Sequence, residues 1–226
     1  MRRRALGCLL LLAAACAPST PERPGPAAGE PGASRLHRFR VRSTAAPAEV
    51  RHDLSLKQIS RLPGAAGSGL KTQGLTTIKH ELATRTRFST ATGDKKGVYA
   101  WFDDVILEVR ISSIVIHIPR EYARGSCEFE IVLEHERGHG QAAREQAALL
   151  ARRLEGALSG AEDIPTRFDP VVSHDIAAAA ERLKTVLAKF VDPHYERFEK
   201  EHTAAQMKLD RPDPYDAVYR KCTGWK

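Results

Sequence analysis

The chain has 226 residues, 42% hydrophobic and 28% charged, with a formal net charge of +7. That length allows a domain with a real core. The charges alternate in sign rather than forming blocks, which gives no case for nucleic acid as a partner.

The first residues read as a targeting segment. Met1-Arg2-Arg3-Arg4 is a positive start, and Ala5–Ala15 is an apolar run containing Leu9–Leu12. The run is too short to span a bilayer, so residues 1–15 are expected to be a secretory signal. Two processing routes fit Ala13-Ala14-Ala15-Cys16: cleavage after the Ala13-x-Ala15 pattern, or acylation of Cys16 as the first residue of a bacterial lipoprotein. The second is preferred because a Pro/Gly/Ala/Ser-rich stretch without apolar periodicity follows. Residues 16–35 therefore read as a disordered tether, and 36–226 as the folded domain. The expected location is the bacterial envelope on the periplasmic side, with membrane contact only through the N-terminal lipid; the alternative is plain secretion. Loss of Arg2, Arg3 and Arg4 would leave a net charge of +4 (32 basic against 28 acidic residues).

Cysteine usage follows from export. Cys8 leaves with the signal and Cys16 is lipidated or lost, so Cys127 and Cys222 remain. In an exported chain these two are expected to pair; the alternative is two buried thiols.

The first half of the domain reads as strands: Arg38–Arg42, Thr76–Ser89 and, most clearly, Gly97–Pro119. In that last segment Val105, Leu107, Val109 and Ile111 alternate with Glu108 and Arg110, and Ile114, Ile116 and Ile118 repeat the pattern after Ser112-Ser113. Leu62–Gly69 reads as a loop. The second half reads as helices. One opens with Ser126 as N-cap, carries Glu128 and Glu130 at its positive end, and continues through Ala143, Ala147, Leu150, Leu154 and Leu158 to near Gly160. A second is predicted from about Val171 through Phe190. A third opens at Asp192-Pro193, read as N-cap and N1, and ends near Leu209. The fold class is therefore α+β: an N-terminal antiparallel sheet, then a motif helix and further long helices.

The motif is His135-Glu136-Arg137-Gly138-His139, a His-Glu-x-x-His on the first long helix. Histidines four apart share a helix face, so both imidazoles can reach one ion, and the intervening glutamate reaches a water on that ion. Zinc hydrolases need that set: neutral imidazole ligands, an open coordination position and a carboxylate base. Zn2+ is thus the expected cofactor, His135 and His139 the expected ligands, and Glu136 the expected catalytic base. Gly138 and Gly140 weaken a helix, and their presence suggests that something approaches the backbone closely.

Catalytic zinc needs a third protein ligand. Glu145 has the metzincin spacing but points away on an unbroken helix, and is set aside. Treating the first two helices as antiparallel rods brings the motif opposite Asp192–Glu196. His194 is preferred there, with Glu196 the alternative; Glu199, Glu201 and His202 stay open. His37, His52, His80 and His117 have no spacing argument and read as ordinary surface or sheet residues. An extended peptide could add to Ile114–Ile118 as an extra strand, and Tyr195 or Tyr215 could steady an oxyanion.

The segment Ile114–His139, with Pro119-Arg120-Glu121-Tyr122, Gly125-Ser126-Cys127-Glu128-Phe129 and Leu133-Glu134-His135-Glu136 followed by His139, resembles a bacterial family of predicted secreted zinc-dependent proteases of unknown function. The tail Leu209-Asp210-Arg211-Pro212-Asp213-Pro214-Tyr215, with Cys222 beyond it, is similar to a second block of such proteins. The resemblance implies a zincin-like fold, a zinc ion and export, and it supports zinc more firmly than peptide cleavage. Some relatives carry Thr-x-His-Gly near the C-terminus; this chain has Thr223-Gly224-Trp225. The functional expectation is an exported zinc metallopeptidase acting on a peptide or protein substrate. The competing one is a non-catalytic envelope lipoprotein that binds a partner or holds zinc structurally.

Overall fold

A computed structural model describes residues 38–65, 73–93, 97–211, 220–223 and 225. The expectations for the signal, for Cys16, for the tether and for His37 and Tyr215 fall outside the described residues. The elements are β1 (Arg38–Ala45), β2 (Ala48–Arg51), α1 (Leu56–Ile59), β3 (Leu75–Thr92), β4 (Val98–His117), α2 (Cys127–Ser159), β5 (Val171–Ser173) and α3 (Ile176–Leu209). No helix among the described residues is long and apolar enough to cross a membrane.

The α+β class holds, but the purely antiparallel sheet does not. The five strands form one sheet in which every other strand pairs with β4. β2 runs parallel to β4 in the register Ala48↔Ile114 to Arg51↔His117, while β5 is antiparallel to it at Val98↔Ser173. Alternation along a strand reports which face is buried and says nothing of the partner's direction. β1 and β2 are separated from β4 by the whole of β3, so neither direction is imposed by a short turn.

The chain divides into two compact units. The described part of the first comprises residues 38–41, 83–93, 97–107 and 154–192. Its buried residues include Ala100, Phe102, Val105 and Leu107 from β4, Leu154 and Leu158 from α2, and Ala179, Leu183 and Leu187 from α3. The Phe102 N–H donates to the Pro165 carbonyl, and Ile164 beside it is buried.

The described part of the second comprises residues 42–65, 73–82, 108–153, 193–211, 220–223 and 225. Here α2 lays Phe129, Val132 and Leu133 against Ile116 of β4 and Ile118 just beyond it, with Val50, Tyr122 and Trp225 at the margin. The helix starts as expected: the Ser126 hydroxyl accepts from the Phe129 N–H at 3.2 Å, Glu128 and Glu130 occupy the first turn, and Gly125 before it has φ +79°, a left-handed value that favours glycine. Cys127 and Cys222 are disulfide-bonded with Cα atoms 5.9 Å apart, which ties the C-terminal residues to the first turn of α2. Ile114–Ile118 is not an edge. Ile114–His117 pairs with β2, while Thr77 of β3 bonds the Val115 carbonyl from the other neighbour. The added-strand expectation at that segment is therefore corrected.

The helix following β5 departs furthest from expectation. Val171–Ser173 is a strand, and α3 runs unbroken through Pro193 to Leu209. Asp192-Pro193 is not an N-cap pair. A proline removes one intrahelical donor and favours a kink, and buried side chains either side of it, Val191 and Phe198, accompany the helix's continuation. Pairing between α2 and α3 in this unit is correspondingly shifted. Arg153 pairs with Glu201, and His139 with Gln206. Fourteen residues along α2 (139 to 153) thus correspond to five along α3 (201 to 206), so these stretches do not match as antiparallel rods.

Candidate metal centre

α2 and the C-terminal end of α3 build the site with the first residues of β3. His135 and His139 lie one turn apart on α2, with their Nε2 atoms 3.2 Å apart. The third arrival is Asp210, the residue immediately after α3. Its Oδ1 lies 3.4 Å from His135 Nε2 and 3.1 Å from His139 Nε2. Together the three form the one group of His, Cys, Asp or Glu among the described residues able to hold a metal ion.

These distances test the fit to zinc. Four ligands at 2.0–2.1 Å on a tetrahedron stand about 3.3 Å from one another, and the three observed separations cluster at that edge length. Two imidazoles and a carboxylate also form a donor set that zinc accepts. His194 and Glu196 are outside the group. The rod arithmetic that selected them started the helix about five residues early and assumed an antiparallel match. Glu201 is engaged instead by Arg153 and Arg197, which hold its carboxyl down to about 2. Cys127 and Cys222 are joined to each other.

The surroundings hold each group in place. His139 Nδ1 meets Gln206 Oε1 at 2.6 Å, and Gln206 Nε2 donates back to the His139 carbonyl at 3.2 Å. With Oε1 as acceptor, Nδ1 carries the ring proton and Nε2 is left as the ligand atom, the usual outer support of a metal-bound imidazole. Glu136 is buried, 5% exposed. The Thr76 hydroxyl lies 2.8 Å from its Oε2 and 2.9 Å from its main-chain oxygen. Gly74 passes so close that a Cβ there would fall 2.8 Å from Glu136 Oε1 and 2.6 Å from Val132 Cγ1, so only glycine leaves the carboxylate its place. The two helix glycines are different. Gly138 faces open space, and a Cβ at Gly140 would meet the Ile114 and Arg144 side chains at ordinary contact distance. The close approach is at Gly74, and nothing in the structure explains Gly138.

The electrostatics are those of a partly desolvated, oppositely charged cluster. Burial pushes the Glu136 carboxyl up, more than the charges of His139 and His135 and the Thr76 hydroxyl pull it down. Burial also opposes charge on His139, but the hydrogen bond to Asp210 and the negative charge of Glu136 outweigh it and raise the imidazole. Burial raises Asp210 too, and its bonds to His135 and His139 more than reverse this, leaving it well below the usual carboxylate range.

A cavity of about 360 Å³ opens on the cluster. Its walls include Pro63, Ala65, Leu75 and Ile78 as well as His135, Glu136, His139 and Asp210. β3 contributes Leu75–Ile78 to this wall, and β4 is the strand it pairs with. Sequence reasoning missed Asp210, Gln206, Thr76 and Gly74; His202, kept open as a ligand, lines the cavity but lies outside the ligand group. One signal was available: His202, Gln206 and Asp210 recur every fourth residue, the spacing of one helix face.

Compared with known protein families, with curated proteins and with solved structures, the chain finds no match.

Proposed function

We propose that the protein is a zinc-dependent peptidase, built on a zincin-like motif helix, whose ligands are His135, His139 and Asp210 and whose base is Glu136. The observation carrying this reading is the near-equilateral triangle of His135 Nε2, His139 Nε2 and Asp210 Oδ1, with 3.1–3.4 Å sides and a buried carboxylate and a cavity beside it. Zinc bound there would supply Lewis acidity, lowering the pKa of its water toward neutrality and polarising a peptide carbonyl. Glu136 takes one proton from the attacking water and delivers it to the leaving amine. Thr76 and Gly74 keep that carboxylate pointed at the cluster. Gln206 keeps His139 in the ligand tautomer. The side of β3 at Leu75–Ile78 that no described strand pairs with, rather than Ile114–Ile118, is where an extended peptide would add a strand across the cavity. The signal-like start and Cys16 accord with an exported, lipid-tethered enzyme acting on envelope peptides or proteins.

Zinc content and cleavage of broad peptide pools, compared between the wild type and Glu136→Ala, test the reading. Zinc in both proteins with cleavage only by the wild type is the expected result. A zinc-free wild type, or cleavage unchanged by the substitution, would sink it. Zinc in both with cleavage by neither would favour the non-catalytic lipoprotein.

A further inference from the structure

Beside the ligand cluster lies a second histidine pair that the reaction above does not use. His202 of α3 and His80 of β3 have ring centroids 5.3 Å apart, and His202 stacks on Phe198 at 5.6 Å with ring planes 26° apart. Nδ1 of each ring is sealed from solvent and has no hydrogen-bond partner among the described residues. His202 lines the same cavity as Glu136, His139 and Asp210, yet is not among the three residues whose donor atoms converge within 4.8 Å. With Nδ1 closed off, Nε2 is the ring nitrogen left to this cavity-lining side chain.

We infer that His202 is a neutral hydrogen-bond donor of this site, turning Nε2–H toward the carbonyl oxygen that becomes negative when a peptide is attacked. The inference rests on the peptidase reading and deepens it. An imidazolium would need a partner at Nδ1, and the described residues offer none. A proton on Nδ1 alone would also bury an unpaired N–H, whereas a proton on Nε2 leaves a bare acceptor inside and a donor in the cavity; buried donors without partners are the rarer case. Burial, and then the neighbouring His80, also push the His202 imidazole down to about 4, which keeps it uncharged at neutral pH. His80 is likewise pushed down by burial, with Glu199 opposing. In the step itself, the water oxygen bonds to the carbonyl carbon, the C=O π pair moves to oxygen, and the water's proton goes to Glu136. Collapse of that species breaks the C–N bond as Glu136 returns the proton to nitrogen. His202 keeps its own proton throughout and only donates a hydrogen bond to the charged oxygen, the part a preorganised donor plays in acyl transfer.

Two measurements on the full chain test this. Nitrogen-15 shifts of the histidine rings in the metal-free protein at pH 7 are expected to show His202 as neutral with its proton on Nε2. An imidazolium or an Nδ1–H form overturns the inference whatever the metal result. Cobalt-loaded protein is then titrated with phosphoryl-Leu-Ala, whose tetrahedral phosphoryl oxygens mimic the attacked carbonyl. His202→Phe, which keeps a ring on Phe198, is expected to bind the probe roughly 10- to 100-fold more weakly at unchanged cobalt content, with His202→Gln recovering most of the loss. Unchanged affinity in His202→Phe, no probe binding by the wild type, or a second cobalt lost with His202 overturns it. A wild type that takes up no cobalt overturns the metal-centre reading, and this inference with it.

Discussion

Two histidine pairs occupy one unit of this molecule, and they differ in almost every physical respect. His135 and His139 lie four residues apart on a single helix, and a carboxylate and a carboxamide complete their hydrogen bonding. His80 and His202 come from a strand and a distant helix, pack against Phe198, and find no partner for either Nδ1 among the described residues. Charge is favoured on His139 and disfavoured on His80 and His202. The first pair is equipped to hold a cation and the second to remain neutral beside it. Proximity to one cavity is therefore no guide to role; the partners of each ring nitrogen are.

The largest expected effect separates the two pairs outright. His139→Ala is expected to lower zinc affinity by more than 100-fold, beyond the range for an outer-shell residue, whereas His80→Phe retains zinc. Competition with a chelating dye reads both. Loss of zinc in His80→Phe would erase the distinction. Next comes Glu136→Gln, which keeps the shape of the side chain and the bond with Thr76 but cannot take a proton. Peptide hydrolysis is expected to fall by about 10²- to 10⁴-fold with zinc content unchanged. Gln206→Ala follows. Without its acceptor, His139 loses the bond that fixes its tautomer, and zinc affinity is expected to fall about 10- to 100-fold, measured by the same competition. An unaffected affinity would mean that Asp210 and the helix alone orient the ring.

The two pairs also show what a sequence reveals. His135, Glu136 and His139 are legible because four-residue spacing on one helix is local geometry, and the apolar repeat from Phe129 to Leu158 gives that helix away. The Cys127–Cys222 pairing was legible for a different reason, since the expected export would leave only two candidates. Asp210 was not, because its place depends on where α3 starts and how it crosses α2. A proline at 193 reads locally as a helix start, while the structure carries the helix through it. The parallel pairing of β2 with β4 was hidden for the same reason, being a contact between distant segments. Gly74 carries no local mark at all: its close approach to Glu136 exists only once β3 has packed on α2.

The smallest expected effect is one of sign. A histidine whose folded pKa lies below its ordinary 6.5 binds fewer protons folded than unfolded between the two values. Its contribution to stability is complete above about pH 6.5 and declines as the pH falls through that window. For His202 the window runs from 6.5 down to about 4, and His80 shifts in the same direction. His139, raised by its bond to Asp210 and the charge of Glu136 against the opposing effect of burial, has the reverse sign in metal-free protein: its contribution is present below 6.5 and is lost as pH rises through the higher folded value. Urea unfolding of metal-free wild type and His202→Phe at pH 7 and pH 4.5 isolates the first term, because carboxylates that titrate in both proteins cancel in the difference. The wild type is expected to lose about 1 kcal/mol more than the variant on acidification, a figure held below the full shift because the ring is only part-buried. An equal loss would mean that His202 is hydrated enough to charge freely. A neutral donor beside the metal ligands would then have no physical basis, and the contrast between the two pairs would reduce to position alone.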